Sequence, residues 1–426
     1  MSIIMKYVIL GASAAGINAA KTIRELDPNG EITIVSKDKA IYSRCMLHHV
    51  ISQGRQPREI NFAEENFFEK YNINWLAGQE VLGLNTEEKT VLLTGDLKIS
   101  YDRLLIATGS SSFIPPIKNL AAAKQIFGLR NIEDAVAVNL AAENTGAAVV
   151  IGAGLIGMDA AYALADRGLE VTVIETAEHI LPLQLDKTAA QKYEKLFRQN
   201  AVNFFFKETT VEIKLDQDNN VRGVVLQSGA FVHCGLVIVA AGVRSNIEFL
   251  KNTNVKIGRG IQVNSYQETS VPNIYAAGDV CESTETFTGQ VSLTPIWPSA
   301  ILQGRTAGSN MAAIPRQLEI NFAFKNSMTF YGLHTISFGL TGQADSDSKE
   351  LIYQDAGNYK KIIFKDGVIK GAILQGDISN SGLIGKLVQD KTKISHPEQI
   401  FNMTYANFFA QKENGEFCFA CNDNCH

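Results

Sequence analysis

The segment "AIYSRCMLHHVISQG", residues 40–54, gathers several reactive side-chain types within a few positions. Cys45 follows Arg44 and precedes His48 and His49. A thiol at a helix N-terminus beside an arginine is expected to have a depressed pKa and thiolate character. Such a thiolate is open to oxidation or mixed-disulfide formation. The competing reading is a small side chain that fills space.

The chain ends "GEFCFACNDNCH", with Cys418, Cys421, Cys425 and His426. These are the ligand types of zinc or of an iron–sulfur cluster. Adjacent Cys425 and His426 are awkward partners for one ion. Thiol redox chemistry and a tail without function are the alternatives.

Two copies of one unit position this chemistry. "YVIL" (Tyr7 to Leu10) reads as a buried strand, "GASAAG" (Gly11 to Gly16) as a turn, and an Ala-rich stretch to Leu26 as a helix. "EITIVS" to Ser36 is the next strand. "AAVVI", "GAGLIG" (Gly152 to Gly157), a helix to Arg167 and "EVTVIE" repeat the plan, and the same interval separates Gly11 from Gly152 and Gly16 from Gly157. The first glycine permits a tight turn, the second lets backbone approach a pyrophosphate, and the third lets helix pack on strand. The helix N-terminus, at Ser13, Ala14 and Ala15 in one copy and Gly154, Leu155 and Ile156 in the other, offers free N–H groups to the anion. Glu175 ends the second strand of the second copy, where a carboxylate accepts from a ribose 2′-hydroxyl and repels a 2′-phosphate, favouring NAD over NADP. The first copy has Ser13 for the middle glycine and Ser36 for the acid.

Composition narrows the partners. The 426 residues, 46% hydrophobic and 19% charged with net charge −5, read as a soluble protein of two or three domains. Nucleic acid and anionic membrane are not expected partners. No leader is read at the N-terminus, and six cysteines then suggest a reducing, cytoplasmic setting.

"YDRLLIATGS" with Ala107, Thr108 and Gly109, "LVIVAAGVRSN" with Gly242, and "TSVPNIYAAGDV" with Gly278 and Asp279 complete a pattern. Together with the paired glycine turns, it resembles the pyridine nucleotide-disulfide oxidoreductases over residues 4–312. The resemblance implies an α/β fold: two Rossmann-like three-layer dinucleotide-binding domains plus a C-terminal α+β domain. The expected division is 1–115 and 245–315 for FAD, 116–244 for NAD(H), 316–410 for the C-terminal domain, and 411–426 for a Cys-rich tail. Asp279 matches the aspartate that bonds the ribityl chain. Pro295, Ile296 and Trp297 precede a helix aimed at the flavin, whose dipole would stabilise reduced flavin. "YKKIIFKDGVIKGAILQGDI" is a hairpin signal around Asp-Gly. It resembles the C-terminal domain of rubredoxin reductases and of nitrite reductase flavoproteins.

Within the family, the opening segment resembles two templates. Coenzyme A-disulfide reductases and NADH oxidases carry one redox cysteine, which matches Cys45. Rubredoxin and ferredoxin reductases carry a YxR motif without it, which matches Tyr42 and Arg44. The resemblance also puts His49 and Asp159 where the wider family pairs lysine with glutamate beside the flavin. The leading expectation is an NADH oxidoreductase acting through FAD on a small redox protein such as rubredoxin, assembled as a homodimer. The alternatives are Cys45-dependent reduction of a disulfide, polysulfide, peroxide or oxygen, and an NADH-responsive binding module.

Overall fold

The computed structural model describes residues 4–286, 288–322, 325–342, 347–411 and 415–419. Its eight described α-helices are α1 (Ala14–Leu26), α2 (Leu47–Ile51), α3 (Phe67–Lys70), α4 (Ile132–Ala142), α5 (Leu155–Asp166), α6 (Lys187–Gln199), α7 (Trp297–Met311) and α8 (Ser381–Gln389).

The first sheet runs in the order Ile274–Ala276, Arg103–Ile106, Lys6–Leu10, Glu31–Ser36, Ile73–Ala77, all parallel. Its central strand buries Tyr7, Val8, Ile9 and Leu10. Such unbroken apolar runs are what a parallel sheet covered on both faces requires. Helix α7 lies close on α1. A Cβ on Gly304 would fall 2.2 Å from the Ala15 carbonyl oxygen, and one on Gly308 would fall 2.7 Å from that of Ala19. The small residues of α7 therefore bring its first turn to the α1 glycine turn.

The second sheet repeats four strands of this order, with Val202–Phe206, Glu170–Glu175, Ala147–Ile151 and Leu236–Val239 in parallel, and differs at the edge, where Ile126–Phe127 precedes the other strands in the chain. Helices α5 and α6 pack against this unit's core through Met158, Ala161, Tyr193 and Phe197.

The C-terminal sheet is antiparallel, in the order Lys325–Phe330, Leu333–Gly339, Val368–Gln375, Tyr359–Lys365, Lys349–Gln354. Its hairpin turns at Asp366 (φ 54°) and Gly367 (φ 76°), the double left-handed turn that a two-residue hairpin favours. One face packs on α8. The other sets Met328 and Phe330 against Tyr193 and Phe197 of α6, and the Tyr193 hydroxyl donates to the Leu333 carbonyl at 2.8 Å. No described helix is long and apolar enough to cross a membrane.

Candidate functional site

Both glycine turns close as their types demand. Gly11 has φ +123°, and a Cβ there would fall 2.1 Å from the Ala107 oxygen; one on Gly16 would fall 1.9 Å from the Gly11 oxygen. Gly152 (φ +103°) and Gly157 repeat this, at 2.5 Å from the Ala240 oxygen and 2.0 Å from the Gly152 oxygen. Gly154 caps α5 with open space about it. Glu175 Oε2 accepts the Ala153 amide at 2.6 Å, so the acid at the strand end reaches back to the glycine turn. Leu155 and Ile156 open α5, and Gly242 (φ +111°) turns after Leu236–Val239.

A cleft of about 640 Å³ runs from the first glycine turn to the N-terminus of α7. Gly11, Ser13, Ala14, Ala15, Ser36, Arg44, Cys45, Ala107, Thr108, Gly109, Gly278, Asp279, Pro295 and Trp297 all line it. Gly16 sits behind it as packing. Ile296 caps α7 rather than forming the wall. Trp297 meets Phe62 edge to face at 4.8 Å.

Long-range partners complete the cleft. Arg130, just before α4, donates from Nη2 to Asp279 Oδ2 at 2.7 Å and from Nε to the Ser110 carbonyl at 2.9 Å. The Ser110 hydroxyl also donates to Asp279 Oδ2, at 3.0 Å. Neither residue is marked by sequence, because the pairing spans about 150 residues and has no local pattern. Ser36 is also less free than its type suggests. Its hydroxyl donates to the Asp38 carbonyl at 2.7 Å and accepts from Trp75 Nε1 at 2.9 Å. The carboxylates at that end of the cleft are Asp38 and Glu80.

Three expectations for residues 40–54 need correction. Arg44 does not stabilise a thiolate. Its guanidinium is taken up by Asp38 Oδ2 at 2.6 Å, the Tyr42 hydroxyl at 2.9 Å, the Arg130 carbonyl at 2.7 Å and Asn131 Oδ1 at 3.0 Å. Cys45 consequently has no depressed pKa. Its thiol reaches solvent through the cleft, but protein surrounds it otherwise, and burial pushes the pKa up, aided by the Asp159 and Asp279 carboxylates and opposed only by Arg130.

The third correction concerns the histidines. His48 approaches Asp159, with Nδ1 3.8 Å from Oδ2. His49 is not the partner. Helix α2 buries Leu47, Val50 and Ile51 against the second unit, and residue 49 falls farthest from that face. The His48–Asp159 contact is too long for a hydrogen bond and is not an ion pair near neutrality. Burial, and then the neighbouring His49, lower the His48 pKa to about 4. Burial raises that of Asp159 to about 7. His49 is shifted down by burial and by Arg55.

Residues 5–304 match the model described as "Pyridine nucleotide-disulphide oxidoreductase", and residues 325–392 match "Rubredoxin NAD+ reductase C-terminal domain". The chain belongs to the pyridine nucleotide-disulphide oxidoreductase family. It is 30% identical to the NADH-dependent phenylglyoxylate dehydrogenase subunit epsilon of Aromatoleum evansii, over 92% of this chain and 93% of that one. It is 31% identical to the assimilatory nitrate reductase electron transfer subunit of Bacillus subtilis, over 98% of this chain and 54% of that protein, so it spans about half of that relative. Among solved structures, a NAD-dependent persulfide reductase from A. fulgidus superposes with a TM-score of 0.85 at 28% identity, covering 94% of this chain and 79% of that one.

As a member of this family the protein is an NAD(P)H:acceptor oxidoreductase, and the family uses FAD and NAD(H). The cleft fits FAD: Gly11 and Gly16 leave no room for a Cβ, the wall mixes apolar and polar residues, and Asp279 in it is fixed by Arg130 and Ser110. The second turn, with Gly152, Gly157 and Glu175, has the same fit to a dinucleotide. Among the described residues, no group of His, Cys, Asp and Glu could hold a metal. Of the expected tail ligands, Cys421, Cys425 and His426 lie outside the described residues, and Cys418 is disulfide-bonded, a state in which its sulfur is no thiolate ligand.

Proposed function

We propose that the protein takes electrons from NADH and delivers them, through FAD, to a small redox protein such as a rubredoxin. FAD supplies the change from two-electron to one-electron chemistry. Gly11–Gly16 and α1 hold one pyrophosphate, and Gly152–Gly157 and α5 the other. Asp279, set by Arg130 and Ser110, grips the ribityl chain. Trp297 and Pro295 wall the cleft against water. Asp159, its carboxyl pKa raised by burial to about 7, is the proton-holding group, with neutral His48 beside it.

One observation carries the choice of acceptor. Cys45 opens on the cleft with its pKa raised: burial outweighs the opposing Arg130, Arg44 is held by Asp38, and His48 is neutral. The other described free cysteines, Cys234 and Cys281, are buried. The match of residues 325–392 to a rubredoxin reductase C-terminal domain supports the same reading. The test is anaerobic reduction of rubredoxin by NADH with Cys45→Ser. Full turnover is expected, and lost turnover overturns the proposal.

A second reading rests on Cys45 reaching the cleft at all, and on the likeness to a persulfide reductase. It predicts that Cys45→Ser abolishes reduction of persulfide or coenzyme A disulfide. The proposal includes a homodimer in the cytoplasm. The exposed edge strand Lys349–Gln354, with Ile352 and Tyr353 outward, supports the dimer.

A further inference from the structure

Asp279 follows Gly278, which turns with φ +83°. The turn is pinned at three main-chain points. Cys281 N donates to the Gly278 carbonyl at 3.1 Å, Ser245 Oγ donates to the Asp279 carbonyl at 3.0 Å, and the Gly278 amide donates to Gln303 Oε1 at 2.7 Å. Gln303 lies two turns into α7 and is fully buried. The two N–H groups of its Nε2 face three acceptors, Thr294 Oγ1 at 2.9 Å, Asn321 Oδ1 at 3.1 Å and Ser283 Oγ at 3.3 Å. Asn321 is itself buried. It donates to Ser283 Oγ at 2.7 Å and to the Thr284 carbonyl at 3.0 Å. A saturated polar network inside a core is retained only where its geometry is specified, because each lost partner leaves a desolvated group unpaired.

We infer that Gln303 is a positioning residue for the flavin: its side-chain carbonyl fixes the Gly278 amide, and so the direction in which Asp279 meets the cofactor. Asn321 braces Gln303 from the segment that leads into the C-terminal sheet. Water cannot replace the Gln303 oxygen at a buried amide, so the turn must tilt when it is lost. This role rests on the reading of the cleft as an FAD site.

The test is titration of the apoprotein with FAD, followed by flavin fluorescence and visible circular dichroism. Wild type must bind one FAD; failure there overturns the site reading itself. Gln303→Met removes the acceptor at similar volume, and FAD affinity should fall roughly tenfold, the effect of one buried hydrogen bond, with a changed dichroism band. Folded Gln303→Met with wild-type affinity and dichroism overturns the inference. If Gln303→Met does not fold, Asn321→Ser decides: weaker FAD binding supports the role, and wild-type binding overturns it.

Discussion

His48 Nδ1 stands 3.8 Å from Asp159 Oδ2, and the two come from different dinucleotide-binding units. The contact exists because α2, short as it is, buries Leu47, Val50 and Ile51 in the core of the second unit beside α5. The cleft's reactive segment is thereby held between the units rather than on one of them.

Burial puts the Asp159 carboxyl pKa at about 7, so its charge changes across neutral pH. The rate of flavin reduction by NADH should show an inflection near pH 7. Asp159→Asn should remove that inflection, as stopped-flow measurements from pH 5.5 to 9 will show. The sign for stability follows from linkage. The folded pKa lies above the unfolded value of about 3.9, so the contribution is fully present below pH 4 and is lost as pH rises through 7. Asp159→Asn should therefore gain most over wild type above pH 7, read by denaturant unfolding.

His48 is held neutral by burial, with a pKa near 4. Its folded value lies below the unfolded one, so it contributes stability above pH 6.5 that is lost as pH falls toward 4. His48→Gln should shift the pH midpoint assigned to Asp159, while His49→Gln should leave it in place. The same stopped-flow profile separates the two, and a shift with His49→Gln alone would reverse the assignment.

The glycine turns predict separable losses. A Cβ on Gly16 or Gly157 would fall within about 2 Å of a carbonyl oxygen of its own turn. Gly16→Ala should lose bound flavin, measured as the 450 nm absorbance of purified protein. Gly157→Ala should keep the flavin and raise the KM for NADH roughly tenfold or more.

Arg44 and Asp38 hold one another and tie the strand end to Arg130 and Asn131. Arg44→Met and Asp38→Asn should each lower the thermal midpoint. The double variant should be little worse than either single one, since both remove the same pair.

The sequence alone determined the two nucleotide-binding units, their order and the third region. Each rests on local pattern: buried strand, three-glycine turn, helix, acid at a strand end, Asp-Gly hairpin. Local chemistry enforces these, because Gly11 and Gly152 must take positive φ and Gly16 and Gly157 must pack against carbonyl oxygens. Tertiary structure alone decided the character of the site. That Asp38 withdraws Arg44 from Cys45, that Arg130 and Ser110 set Asp279, and that His48 rather than His49 faces Asp159 all depend on chains meeting across long separations. Residue type announces what a side chain is able to do. The pKa values that decide whether it does so are set by burial and by neighbours, which exist only once the units have packed together.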